Sequence, residues 1–327
     1  MTTPYEQLGG SRSWPSWNPE GPVRFSVIVR TQGRRPGSLA DALRSLAEQT
    51  LVPHEVLVMA HLAETNDEPV ELASVRATVS SVDGLPAVVH LVQGGGRSRP
   101  LNRGLDLATG DYVCFLDDDD LAYPNWLASF DQVIQAHPLT TPRARTEVQS
   151  WATDGSGEPR RPAGSVHEPF APVFDLLAHV SHNETPICAV ALARPVLDTF
   201  GLRFDEALPV YEDWDLLMRV APLTGVHSID EPTSLYRQLD AGNANEAELP
   251  PVWVATHGVV IDRLSARPLL LPAGDARRVA AAHFQPGAGS RHEYDLASAQ
   301  AMIRPSLLRR LVRKLRASGS RIAGRRR

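Results

Sequence analysis

Apolar residues fall into short blocks separated by polar or glycine-rich punctuation, and the period of each block assigns its element. Residues 25–29 (F-S-V-I-V), 55–59 (E-V-L-V-M), 87–92 and 112–116 are β-branched, aromatic and apolar runs with the length of buried strands. Between them the period changes. Leu39, Ala42, Leu43 and Leu46 recur at helical spacing, predicting a helix capped by Ser38 and running to about Gln49. Further helices are predicted over residues 70–79, 98–108 (ended by Gly110) and 125–136. Strands alternating with helices imply right-handed β-α-β units and a mostly parallel sheet.

The second half is less regular. Strands are predicted at 147–151, 187–192 and 233–237, and helices at 174–180 and 210–220. A polar linker, 240–250, precedes two helical segments at about 252–264 and 275–283. The expected organisation is an irregular arm (1–22), an α/β body (23–239, with a nucleotide-binding half to 120 and an acceptor half from 121), a helical extension (240–303) and a tail (304–327).

Charge adds a contrast between body and tail. The net charge is -5, yet ten basic and no acidic residues follow Leu296, so the preceding chain carries -15. Leu307, Leu308, Leu311 and Leu315 share one helical face in that tail, with arginines around them, which predicts a basic amphipathic helix suited to an anionic membrane surface. Nucleic acid is not expected there, because no aromatic residue is interleaved with the charges. Cys114 and Cys188 both lie in apolar runs and read as core residues of a reducing compartment. No secretory pattern opens the sequence and no apolar run approaches a membrane span, so the expected location is cytoplasmic, with the tail as the peripheral contact.

Candidate chemistry concentrates in the stretch D-Y-V-C-F-L-D-D-D-D, residues 111–120. Two carboxylates about 4 Å apart repel by about 4 kcal/mol at an effective dielectric near 20. Four at the end of a buried strand call for a divalent cation, unless they form a solvated acidic turn. A second acidic group, Y-E-D-W-D at 211–215, opens a predicted helix, where acidic residues are favoured by the helix dipole in any case.

Together these pieces carry a resemblance. Residues 24–237 resemble a family 2 glycosyltransferase of the GT-A fold, through S-V-I-V-R-T-Q-G-R, L-A-D-A-L-R-S-L-A-E-Q-T, N-R-G-L-D-L-A-T-G-D-Y-V-C-F-L-D-D-D-D and F-D-E-A-L-P-V-Y-E-D-W-D-L-L-M-R in order. The resemblance implies a Rossmann-like, mostly parallel sheet flanked by helices, here with a C-terminal helical extension. It implies a nucleotide-diphosphate sugar as donor, Mn²⁺ or Mg²⁺ as cofactor, and a glycan, lipid-linked or small-molecule acceptor as the second partner. Asp117 and Asp119 match the family's Asp-x-Asp metal motif, with Asp117 and Asp118 toward the nucleotide; the frame Asp118 with Asp120 stays open. Asp213 matches the catalytic base, with Glu212 beside it, in an inverting displacement. Thr31 and Arg34 lie on the loop expected to approach the nucleotide, and Arg97, Arg99 and Arg103 where phosphates would bind.

Two departures stand out. Met59, Ala60 and His61 replace the acidic residues that usually follow the second strand, and no His follows Tyr236–Arg237, where Asp240 is the nearest substitute. They motivate one competing reading, a glycosyltransferase-like nucleotide-sugar or glycan-binding protein without turnover. A phosphatase of the haloacid-dehalogenase kind is excluded, because the acidic cluster follows the fourth strand and the only lysine is Lys314.

Overall fold

The structure is a computed structural model that describes residues 15–17, 20–64, 69–239, 251–267, 269, 271 and 275–283. The chain divides into two compact units, Met1–Pro272 and Ala273–Arg327. The first unit therefore takes in a helix that the sequence reading assigned to the extension.

In that unit β1 (Phe25–Thr31), α1 (Pro36–Ala47), β2 (Glu55–Leu62), α2 (Val70–Ser80), β3 (Ala87–Gln93), α3 (Ser98–Leu107) and β4 (Tyr112–Asp117) follow the predicted alternation. The sheet has the order β3-β2-β1-β4-β8, parallel except for the short edge strand β8 (Ala191–Ala193). Both faces are covered. Phe25, Val27 and Val29 of β1, with Tyr112, Cys114 and Leu116 of β4, enter the core beneath α1. The alternate residues Ile28, Val113 and Phe115 enter a second core with Leu101 and Leu105 of α3. Period-two burial of apolar residues on both faces explains why these strands read as continuous apolar runs.

The connection into β4 depends on close packing. A side chain at Gly110 would meet the Arg24 carbonyl oxygen at 2.6 Å and the Ser26 backbone nitrogen at 2.7 Å. Asp111 beside it pairs with the Arg24 guanidinium at 2.9 Å, closing the strand's entry.

A second sheet has the order β5-β9-β6-β7, formed by β5 (Leu121–Ala122), β6 (Thr141–Thr153), β7 (Pro159–Pro162) and β9 (Val226–Leu239). Between β5 and β6 runs α4 (Trp126–Ala136), and between β7 and β9 come α5 (Leu176–Ser181), α6 (Arg194–Phe200) and α7 (Glu212–Thr224). Several boundaries depart from expectation. β6 and β9 extend well beyond their predicted cores because they pair in parallel along most of their length. The predicted strand at 187–192 begins instead as a 3-10 turn, Ile187–Ala189, after Pro186. α1 starts at Pro36, two residues before Ser38, with Pro in its first turn.

α8 (Pro251–Ser265) buries Thr256, Val260 and Leu264. Val260 and Leu264 join Leu176, Leu208, Trp214 and Met218 in a third core, and Arg263 pairs with Asp205 at 2.7 Å. In the second unit, α9 (Asp275–His283) is the described element. The amphipathic helix expected in the tail lies outside the described residues. Among the described residues, no helix is long and apolar enough to cross a membrane.

Candidate active site

A cleft of about 570 Å³ opens at the carboxyl ends of β1, β2 and β4. The position follows from topology. β2 and β3 lie to one side of β1 and β4 to the other, so chain direction across the sheet switches between β1 and β4. Arg30 and Asp117, the residues that face the cleft from these two strands, are direct register partners.

Their pairing is bidentate. Arg30 Nε and Nη2 donate to the two Asp117 oxygens at 3.0 and 2.7 Å. Burial alone would raise the Asp117 carboxyl, but the Arg30 charge holds it below the ordinary carboxylate range. Arg30 Nη1 reaches further, donating to Glu212 Oε1 at 3.1 Å and to the Arg97 carbonyl at 3.0 Å. Arg97 Nε also lies 2.7 Å from Glu212 Oε1, a charge contact off the hydrogen-bond direction. Glu212, 2% exposed, thus sits between two guanidiniums.

Asp118 and Asp119 are bridged by one Arg35 Nη2, at 3.0 and 2.9 Å, and Thr31 Oγ1 donates to Asp118 at 2.5 Å. Burial, then the Asp119 charge, pushes Asp118 up to about 6, and burial with Asp117 raises Asp119. The cluster is short of positive charge. Asp117, Asp118 and Asp119 line the cleft, whereas Asp120 is 1% exposed and accepts from the Arg237 backbone nitrogen at 3.1 Å. Arg237 also donates Nε to the Asp119 carbonyl and Nη2 to Ser38 Oγ, so β9 fixes the turn that carries the carboxylates.

The second acidic pair opens α7. Tyr211, its N-cap, adopts the left-handed conformation (φ 61°), a strained state for a non-glycine residue. Asp213 Oδ1 accepts from the Trp214 backbone nitrogen at 2.7 Å. Burial first and the Glu212 charge second push the Asp213 carboxyl up to about 7. It borders a narrow apolar gap with Thr185, Ile187 and Phe204, while Glu212 reaches the main cleft through the arginines. Trp214 is fully buried and donates Nε1 to the His179 carbonyl at 2.7 Å, so it packs rather than lining a site. Tyr211 is held by Trp253 and Trp214, with ring centroids at 5.0 and 5.4 Å.

Of the residues expected at the nucleotide, Thr31, Arg34, Arg97, Asp117 and Asp118 line the cleft. Arg103 does not. With Arg99 it lines a separate cavity of about 340 Å³ bounded by Asn102, Asp106 and Glu206. Helical spacing explains this, since α3 carries Arg99 and Arg103 away from the strand ends one turn apart. Asn102 serves the loop after α6, donating to the Phe204 carbonyl and accepting from its nitrogen, both at 2.9 Å. Sequence reasoning missed Arg35, Ser156 and Gly157, which also line the cleft. Arg35 carried a signal, its place in the loop after β1; Ser156 and Gly157 carried none. Asp240 lies outside the described residues.

Among the described residues, no group of three or more His, Cys, Asp or Glu side chains forms a ready-made metal site. The donor set still fits a hard cation. Mg²⁺ commonly takes one or two carboxylates and completes its shell with substrate phosphates and water. Asp117 and Asp119 offer two carboxylates on one cleft.

The parallel sheet, the switch-point cleft and its acidic strand end have the architecture of the GT-A fold. Residues 26–187 match the family described as Glycosyl transferase family 2, and this region of the chain belongs to that family. It is 25% identical over 247 residues to an uncharacterized glycosyltransferase, YwdF, of Bacillus subtilis, covering 75% of this chain and 84% of that one. It is 29% identical over 213 residues to the amylovoran biosynthesis glycosyltransferase AmsB of Erwinia amylovora, covering 62% and 65%. The crystal structure of S. aureus TarS 1-349 in complex with UDP-GlcNAc superposes with a TM-score of 0.51 at 21% identity, covering 72% of this chain and 65% of that chain, a likeness of fold.

Proposed function

We propose that this glycosyltransferase moves a sugar from a nucleotide-diphosphate donor to an acceptor hydroxyl by direct, inverting displacement, with Mn²⁺ or Mg²⁺ at Asp117 and Asp119. One observation carries the reading. Asp117 at the end of β4 and Glu212, the first residue of the acidic pair opening α7, are joined through Arg30 at the edge of the cleft. When bound, the cation supplies charge stabilisation to the departing diphosphate. Arg34, Arg35 and Arg97 line the same cleft and are placed to meet phosphate oxygens. Asp213 takes the acceptor proton, a role that its raised pKa suits at neutral pH. Attack by the acceptor itself needs no enzymatic nucleophile.

The test is a thermal-shift screen of UDP-, GDP-, ADP- and CDP-sugars with Mn²⁺, followed by donor hydrolysis. A ligand at 100 times its Kd adds about 2.7 kcal/mol of stability. Stabilisation with metal-dependent hydrolysis supports the assignment; no stabilisation by any of them refutes it. The competing reading, binding without turnover, draws on the arginines that occupy Asp117, Asp118 and Asp119. It predicts stabilisation without hydrolysis.

A further inference from the structure

The loop joining β6 to β7 does more than close a hairpin. Asp154 organises it: Oδ1 accepts from Ser156 N at 2.8 Å, Ser156 Oγ at 2.6 Å and Glu158 N at 3.1 Å. Gly157 N donates to the Asp154 carbonyl at 2.9 Å, and Gly157 takes φ +83°, which glycine adopts without strain. The tip so formed places Ser156 and Gly157 on the wall of the cleft, opposite Arg30 and Asp117–Asp119 in sequence but against the same cavity.

Glu158 fastens this tip to the other side. Its Oε1 accepts from the Gly37 backbone nitrogen at 2.8 Å and its Oε2 from Ser38 N at 2.9 Å, across 121 and 120 residues. These are free amides of the first turn of α1, which Arg35 at the N-cap leaves without a side-chain cap. A carboxylate there is favoured by the helix dipole as well as by the two hydrogen bonds. The side that receives it is part of the site. Arg35 holds Asp118 and Asp119, and Ser38 Oγ accepts from Arg237, which holds the Asp119 carbonyl.

We infer that Glu158 is a positioning residue for donor binding: by capping α1 it latches the β6–β7 tip as a fixed wall of the cleft that holds the nucleotide diphosphate. The inference rests on the reading of this cleft as the donor site. The carboxylate touches no reacting atom. Its effect falls on donor affinity, through Ser156 and Gly157, and leaves turnover of bound donor alone.

The experiment compares full-length wild type, Glu158→Ala and Glu158→Gln. Isothermal titration with UDP, GDP, ADP and CDP in Mn²⁺ identifies the tightest diphosphate, and donor hydrolysis gives kcat and KM. Glu158→Ala should weaken that diphosphate about tenfold and raise donor KM by a similar factor, as loss of a helix cap implies, with kcat within about twofold. Glu158→Gln keeps an acceptor oxygen and should recover much of the loss; it also serves if the alanine variant does not fold. A purely structural role would lower Tm in both variants while leaving Kd and KM of the folded protein at the wild-type values, and that outcome overturns the latch. Failure of wild type to bind any of the four diphosphates overturns the donor-site reading itself, and the latch with it.

Discussion

The raised Asp213 carboxyl gives the sharpest test of the catalytic assignment. With its pKa at about 7, only about one molecule in eleven has the base form at pH 6, so kcat/KM for donor hydrolysis should fall about tenfold per pH unit below 7 and level off above it. The sign follows from the role: a base works deprotonated, and burial and Glu212 both favour the protonated form. Glu212→Gln removes the neighbouring negative charge and leaves Arg97 and Arg30 without their Glu212 partner near Asp213. Both changes favour the carboxylate, so the acid limb should move toward the ordinary carboxylate range. Asp213→Asn should lower turnover about 10²-fold or more and abolish the limb, with diphosphate affinity little changed. The assay is a pH-rate profile of donor hydrolysis with Mn²⁺, with affinity measured by titration calorimetry. An Asp213→Asn enzyme of normal rate, or a limb fixed at 7 in Glu212→Gln, refutes the argument.

Other outcomes can be checked alongside. Mn²⁺ should raise Tm in the presence of a diphosphate, and the increment should shrink from pH 7.5 to 5.5 as the Asp118 carboxyl, raised to about 6, takes up its proton beside Asp119; Asp119→Ala should remove it at both. Gly110→Ala forces a methyl against backbone at 2.6 Å and should cost about 2–3 kcal/mol, seen as a Tm lower by about 5–10 °C. Gly258→Ala in α8, where nothing lies within 4 Å, should not lower Tm. Removing residues after Met302 should reduce co-sedimentation with anionic vesicles, because each basic residue near such a surface contributes about 1 kcal/mol. Equal pelleting of both chains would remove the membrane role.

The parallel core was legible because both faces of β1, β2 and β4 are covered, which writes burial into the sequence as unbroken apolar runs. The acidic turn after β4 was legible for the opposite reason, since four carboxylates without a spacer are costly wherever they sit. What pairs with them was not. Arg30 faces Asp117 through strand register, and register between strands 87 residues apart leaves no local trace. Residues 226–232 of β9 hide their strand behind Asp230, Glu231 and Pro232, held there by pairing with β6 rather than by propensity. The cap of α1 was misread for the same reason: Ser38 has the right chemistry for a cap, but the carboxylate that fills the role comes from Glu158.

Of the chain's 33 basic residues a single one is lysine, and the cleft shows what arginine supplies there that lysine would not. Each guanidinium at the cleft serves several acceptors at fixed angles. Arg30 divides three nitrogens among Asp117, Glu212 and the Arg97 carbonyl, and Arg237 divides its own among the Asp119 carbonyl, Ser38 and Asp41. An ammonium group on a flexible stem is a point charge and cannot hold two carboxylates in a set relative orientation. Arg30 does so for Asp117, a proposed metal ligand, and Glu212, the neighbour of the proposed base Asp213. The two carboxylates are thereby held in one fixed relation by the protein alone, and on the proposed reading Asp117 and Asp119 would hold the cation while the guanidiniums at the cleft would meet the donor's phosphate oxygens.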